Sequence, residues 1–289
     1  MAPIYPWIYT GGIDPFLWFP IPGVQTMNFV PYRVNLSPIA GMLDVGQPHT
    51  IALSVFNADS YFFGNSVAAA LSRSWVGAGH GRGNGKHAYH AITGDHGNTH
   101  TLKNRNIQGT VKTASGHSFK VSEYLKTSQG MMATTVTQNI EFTNVQKFKI
   151  TALSYEQIDQ GTTIHSTVSH RDVSGLLVDK ANYTWPMTMD IGLVFNRDGS
   201  GTQTTAVNQY YERDEEGRQN GQAVSFSVVK NRVTPTDTLE FNASFQIIGN
   251  ENQSSAQTYF GSDSTGYCYS RSIAAANNVL TSISGVGCN

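Results

Sequence analysis

The chain has 289 residues, enough to bury a large core and to hold one or two domains. Charged residues are only 13% and the formal net charge is -1, which excludes a global field that would draw in nucleic acid or an anionic membrane surface. No run of about 18 apolar residues occurs, so no membrane span is expected.

In chain order, Ile4 to Thr10 reads as a short aromatic strand, and Gly11-Gly12 opens a turn. Pro15 pushes Asp14 out of helical space. Phe16, Leu17 and Trp18 then sit together in a loop, where they either pack under a sheet or form a wall for a ligand. Phe29 to Leu36 predicts a second strand, Ser37 and Pro38 cap a helical turn, and His49 to Asn57 predicts a third strand. Asn57 and Asp59 are two apart and share one face of that strand's end. Beside Trp18 and Tyr61 they suit a sugar, since rings stack on pyranose faces and amides bind hydroxyls; the plain alternative is a polar strand end.

Residues 63–105 break every periodicity with glycine and carry Arg73, Arg82, Lys86, Lys103 and Arg105 against a single acid, Asp95. His80, His87, His90, His96 and His100 fall here at spacings that give no helix, which reads as an irregular Gly/His loop rather than a metal site. Only Ser66 to Trp75 reads as a short element.

From Ile107 the pattern is β again: Thr110–Thr113, Ser118–Thr127, Met132–Thr143, Phe148–Gln160 and Thr162–His170, with turns at Gly116 and Gln129-Gly130 and a weaker one at Asn144-Val145. Thr184–Phe195 and Thr202–Arg213 predict a hairpin around Asp198-Gly199-Ser200-Gly201, and Val224–Val233 with Asp237–Ile248 a further pair. The acidic run Glu212 to Gly217 reads as a solvated loop tip. Turn signals at this spacing are those of a sandwich. No nucleophile elbow, phosphate loop or dinucleotide fingerprint is present.

Cys268 and Cys288 are either two free thiols or, in an oxidising compartment, a bridge that pins the tail and contributes roughly 3 kcal/mol in the chain-entropy model. The sequons at Asn182, Asn242 and Asn252 favour the oxidised, extracellular reading. No secretory leader is recognisable at the start.

Tyr9-Thr10-Gly11-Gly12-Ile13-Asp14-Pro15-Phe16-Leu17-Trp18, Pro20-Ile21-Pro22-Gly23, Val30-Pro31-Tyr32-Arg33-Val34-Asn35, Gly46-Gln47-Pro48-His49-Thr50 and Ser54-Val55-Phe56-Asn57-Ala58 occur in that order. Together they closely resemble the plant and fungal peptide N-glycosidase A family over residues 4–62; residues 107–200 are similar more loosely. The resemblance implies an all-β, jelly-roll-like fold: the C-terminal part of a first sandwich in 1–62, the irregular segment 63–105, and a second β-sandwich domain in 106–289. It implies hydrolysis of the amide joining Asn to the first GlcNAc of an N-glycan, with N-glycosylated peptides or glycoproteins as partners and no metal or organic cofactor. Asp59 is then the candidate catalytic acid or base, and Asp14, Trp18, Asn57 and Tyr61 the candidate glycan-binding residues.

Two departures from the family follow. The chain is expected to lack an N-terminal segment that carries the best candidate for the essential carboxylate, to be supplied by that missing segment or by a partner chain. Residues 63–105 depart from the family's text as a frame change that later corrects itself would make them; an uninterrupted frame in the transcript overturns that expectation. The competing function is a non-catalytic, secreted glycan-binding or structural β-sandwich fragment.

Overall fold

The computed structural model describes Asp14 and residues 16–24, 89–103, 106–127, 130–172, 174, 176–285 and 287–288. The expectation of an all-β protein holds, since every regular element among these residues is a strand. They are β1 (Tyr89–Lys103), β2 (Asn106–Thr127), β3 (Gly130–Ile150), β4 (Ser154–Arg171), β5 (Leu177–Phe195), β6 (Gly201–Gln219), β7 (Gln222–Phe241), β8 (Ile247–Asp263), β9 (Cys268–Ala276) and β10 (Val279–Ser284). Each pairs antiparallel with its chain neighbours, so among the described residues spatial order equals sequence order across ten strands of one sheet.

Several expected boundaries move. Tyr89–Lys103, read as irregular, is a strand paired with β2 at every position. A backbone ladder needs no side-chain periodicity. Gly116 lies inside β2 rather than at a turn, and Asn144-Val145 lies inside β3, opposite a bulge at which β4 carries the extra residue. The unsignalled turn at 151–153 splits the expected Phe148–Gln160 strand; Thr151 N donates to Ser154 O at 2.8 Å and Leu153 N to Thr151 Oγ1 at 3.3 Å. The acidic run Glu212–Gly217 is in the body of β6, not at a tip. Its charges are paired instead: Lys230 with Glu212 at 2.9 Å and Arg218 with Glu216 at 2.6 Å. The hairpin around Asp198 forms as expected, with Gly199 at φ +88° and Asp198 Oδ1 accepting from Ser200 N at 3.0 Å.

Two prolines interrupt the ladders flanking β6. Pairing skips from Thr184↔Glu212 to Met187↔Gln209 at Pro186, and from Ala206↔Thr236 to Gln209↔Val233 at Pro235. Proline has no N–H to donate, so each skip sits where the backbone cannot close the ladder. Trp185 and Tyr211 stack in the first gap at 6.0 Å, and Tyr183 stacks on Trp185 at 5.5 Å. β7 nevertheless runs unbroken from 222 to 241, because Pro235 keeps its place opposite Ser255 in the β8 ladder, where strands over Val224–Val233 and Asp237–Ile248 were expected.

A single sheet has no second layer of its own. Here the loop 16–24 supplies one: Leu17, Trp18, Ile21 and Val24 are buried against Trp185, Met187, Val207, Tyr211, Val233, Ile273 and Ala275 of β5, β6, β7 and β9. Burying four such apolar side chains stabilises the arrangement by roughly 1.5–3 kcal/mol each.

Candidate active site: a buried pair of carboxylates

The polar anchors of the loop define the site. Gln253 Nε2 on β8 donates to Phe16 O at 2.8 Å and also to Phe19 O, while Val24 N donates to Gln209 Oε1 at 3.1 Å. Gln253 Oε1 accepts from Asn278 N at 2.8 Å, which ties the same residue to the β9–β10 turn. At the head of the loop, Asp14 Oδ1 accepts from Phe16 N at 2.8 Å, closing an Asx turn. This turn aims the other carboxylate oxygen down into the sheet.

There it meets Asp237 of β7. Asp14 is 1% exposed and Asp237 3%. Asp14 Oδ2 and both Asp237 oxygens are buried with no other hydrogen-bond partner, and the two carboxyl groups share a hydrogen bond with each other. Two adjacent buried carboxylates resist being ionised together, so a proton is held at the pair up to near neutral pH. Burial first, then the Asp14 charge and the shared hydrogen bond, push Asp237 up to about 7. Such a pair offers an acid and a base side by side near neutral pH, the combination that general acid–base chemistry uses.

Of the expected site residues, Asp14 is therefore placed in a polar cluster, with a partner that sequence reading missed. Trp18 is 1% exposed in the core, so Leu17 and Trp18 take the packing reading of the aromatic triplet and Trp18 presents no ring face to a ligand; only Phe16, 37% exposed, reaches the surface. Asn57, Asp59 and Tyr61 lie outside the described residues. Cys268 and Cys288 are joined by a disulfide with Cα atoms 5.3 Å apart. Asn252 is exposed at φ +54° on the bulged edge of β8, Asn242 opens the β7–β8 turn by accepting from Ser244 N and Gln246 N, and Asn182 accepts from Thr167 Oγ1 at 3.2 Å on β5. Among the described residues no three His, Cys, Asp or Glu side chains gather to hold a metal ion, and no helix is long and apolar enough to cross a membrane.

Residues 1–80, which include Asp14, match the family model for peptide N-acetyl-beta-D-glucosaminyl asparaginase amidase A. The resemblance to the peptide N-glycosidase A family is borne out. A curated relative from Prunus dulcis, peptide-N4-(N-acetyl-beta-glucosaminyl)asparagine amidase A, is 23% identical over 309 residues, covering 98% of this chain and 48% of its own length. The chain thus spans about half the length of that relative, and Asp237 lies beyond the segment that matches the family model. No solved structure matches the chain.

Proposed function

We propose that this chain is a deglycosylating amidase, or the C-terminal portion of one, that hydrolyses the GlcNAc–Asn amide of N-glycoproteins. The observation that carries this reading is the Asp14–Asp237 pair, built by the same loop in which the family likeness lies. The ionised member takes a proton from water as the water oxygen adds to the side-chain carbonyl carbon. The protonated member gives its proton to the nitrogen as the C–N bond breaks. The peptide keeps an Asp, a glycosylamine leaves, and the pair ends with one proton, as it began. Asp59 remains a candidate for the same acid–base work, and Asn57 and Tyr61 for holding the glycan. Neither step draws on a metal or organic cofactor. The division at 62 and 105, and secretion in an oxidising compartment, belong to the same proposal.

The second reading, a glycan-binding or structural module, is favoured by the burial of both carboxylates beneath an anchored loop, because water reaches them only if the loop lifts. The deciding experiment incubates the purified chain with an N-glycopeptide and follows Asn-to-Asp conversion by mass. Conversion that is lost in Asp237→Asn supports the dyad, whereas conversion unchanged in Asp237→Asn reduces the pair to a structural latch. Absence of conversion by the wild-type chain, with glycan still bound, leaves the second reading standing.

A further inference from the structure

The face that carries the loop continues past the loop's edge toward the β8–β9 turn. Cross-strand register sets one row as Tyr183 (β5), Arg213 (β6), Val229 (β7), Gly261 (β8) and Tyr269 (β9), and places Tyr259 against Arg271 and Asn231 one step nearer the loop. Gly261 is the low point of this row. A Cβ there would stand 3.1 Å from Tyr267 Cε1 and 3.2 Å from the Tyr259 hydroxyl, so the absence of a side chain lets the two tyrosines close over the backbone. Tyr259 and Tyr269 rings lie 5.9 Å apart at 57°, and the Tyr259 hydroxyl shares a hydrogen bond with Tyr267. Tyr267 is 48% exposed at the rim.

Polar groups border the rings. Arg213 Nη2 reaches Ser227 Oγ at 3.4 Å and its buried Nε faces Glu215 at 3.6 Å, too far for a hydrogen bond, so the two groups are held by charge and Glu215, 37% exposed, stays open to solvent. The frame is stiff. Asp263 Oδ1 caps the turn by accepting from Thr265 N at 2.8 Å and Thr265 Oγ1 at 2.6 Å, and the Cys268–Cys288 disulfide pins the strand between Tyr267 and Tyr269. Rings that bring area at small entropic cost, next to a guanidinium and a carboxylate that can hold adjacent hydroxyls, match the amphipathic surface of a sugar better than a purely apolar or purely charged ligand.

We propose that Tyr259, Tyr267 and Tyr269, with Arg213 and Glu215, form a shelf that binds a neutral oligosaccharide. From Asp237 to Val229 is eight residues along β7, roughly 27 Å. The shelf is therefore a site apart from the acid pair and takes the distal arm of a glycan rather than the sugar attached to Asn, an assignment of distance that rests on the amidase reading.

The test titrates the full chain with a neutral high-mannose oligosaccharide already released from its peptide, which carries no amide to turn over, followed by calorimetry. Saturable binding that weakens roughly five- to tenfold in Tyr267→Ala, with an unchanged thermal midpoint, is the expected result for loss of one stacking ring. Arg213→Lys, which keeps the charge but loses the planar fork, weakens it as well. No saturable binding, or equal binding by Tyr267→Ala, overturns the proposal. Binding confined to a sialylated oligosaccharide and sensitive only to Arg213 also overturns it, in favour of an anion site. Failure of the amidase assay alone leaves this titration intact, so the two readings fail separately.

Discussion

Among the described residues, the two halves of the sheet differ in how far their side chains are buried. Across β5 to β9, the described buried side chains include Trp185, Met187, Val207, Tyr211, Val233, Ile273 and Ala275, all packed beneath Leu17, Trp18, Ile21 and Val24. In β2 to β4 the described buried residues are Val136, Gln138 and Asn144, two of them polar. The ladders continue across both halves without a break in order. Backbone pairing is thus common to the two regions, whereas the described core centres on the strands that the 16–24 loop covers, with Ile140 and Phe142 of β3 packed half-buried against it. An eleven-residue stretch from Asp14 to Val24, remote in sequence from β5 to β9, makes that difference.

The largest expected effect that breaks the contrast is removal of the loop's anchor. Trp18→Ala lowers stability by about 3–5 kcal/mol in chemical denaturation, because a large buried ring leaves a cavity the sheet cannot fill. Loss below about 1 kcal/mol would show that the loop is not what closes this core.

Next comes the acid pair. Asp237 titrates at about 7 when folded and near 3.8 when unfolded, so the folded state binds more protons between these values. Its contribution is complete below about pH 4, falls as pH rises to 7 and is gone above it. Asp237→Asn, which mimics the protonated acid, is expected to stabilise the protein by on the order of 2–4 kcal/mol at pH 8 and by little at pH 4. Thermal melts across this range check it, and a variant that gains equally at both ends removes the shared proton from the account. Combined with loss of glycopeptide turnover, a more stable but inactive Asp237→Asn is the signature of stability given up for chemistry.

Smaller is the cost of Gln253→Ala, about 1–3 kcal/mol, since it takes one donor from the Phe16 and Phe19 carbonyls and removes the acceptor of Asn278 N. Hydrogen exchange should show faster opening of 16–24 before β6 or β7 responds. On the other half of the sheet, Lys149→Ala breaks the 3.6 Å pair with Glu156, both side chains 40% exposed, and is expected to shift stability by less than about 1 kcal/mol. A larger shift there would mean that β3 and β4 carry more of the fold than their described burial indicates.

Legibility in the sequence follows the range of the interactions. The Asp198-Gly199-Ser200 turn was readable because one glycine at positive φ and one Asx side chain make it locally. The turn at 151–153 was not, because Thr151-Ala152-Leu153 carries no glycine or proline and is closed by bonds to Ser154 and the Thr151 hydroxyl. The run Glu212–Gly217 misled because charge alone reads as solvation, while its partners Lys230 and Arg218 neutralise it within the sheet. Asp14 stood out through its motif; Asp237, inside Thr234-Pro235-Thr236-Asp237-Thr238, had no such mark.

Composition, alternation and turn residues by themselves determined an all-β chain and its hairpin at Asp198, while the family likeness rests on the ordered motifs of the first residues. Only the tertiary structure decided that Trp18 is core rather than binding wall, and that Asp14 has a partner 223 residues away. The reason is physical: strands and turns arise from neighbours along the chain, whereas the sharing of one proton between two carboxylates depends on burial and approach, which no local pattern encodes.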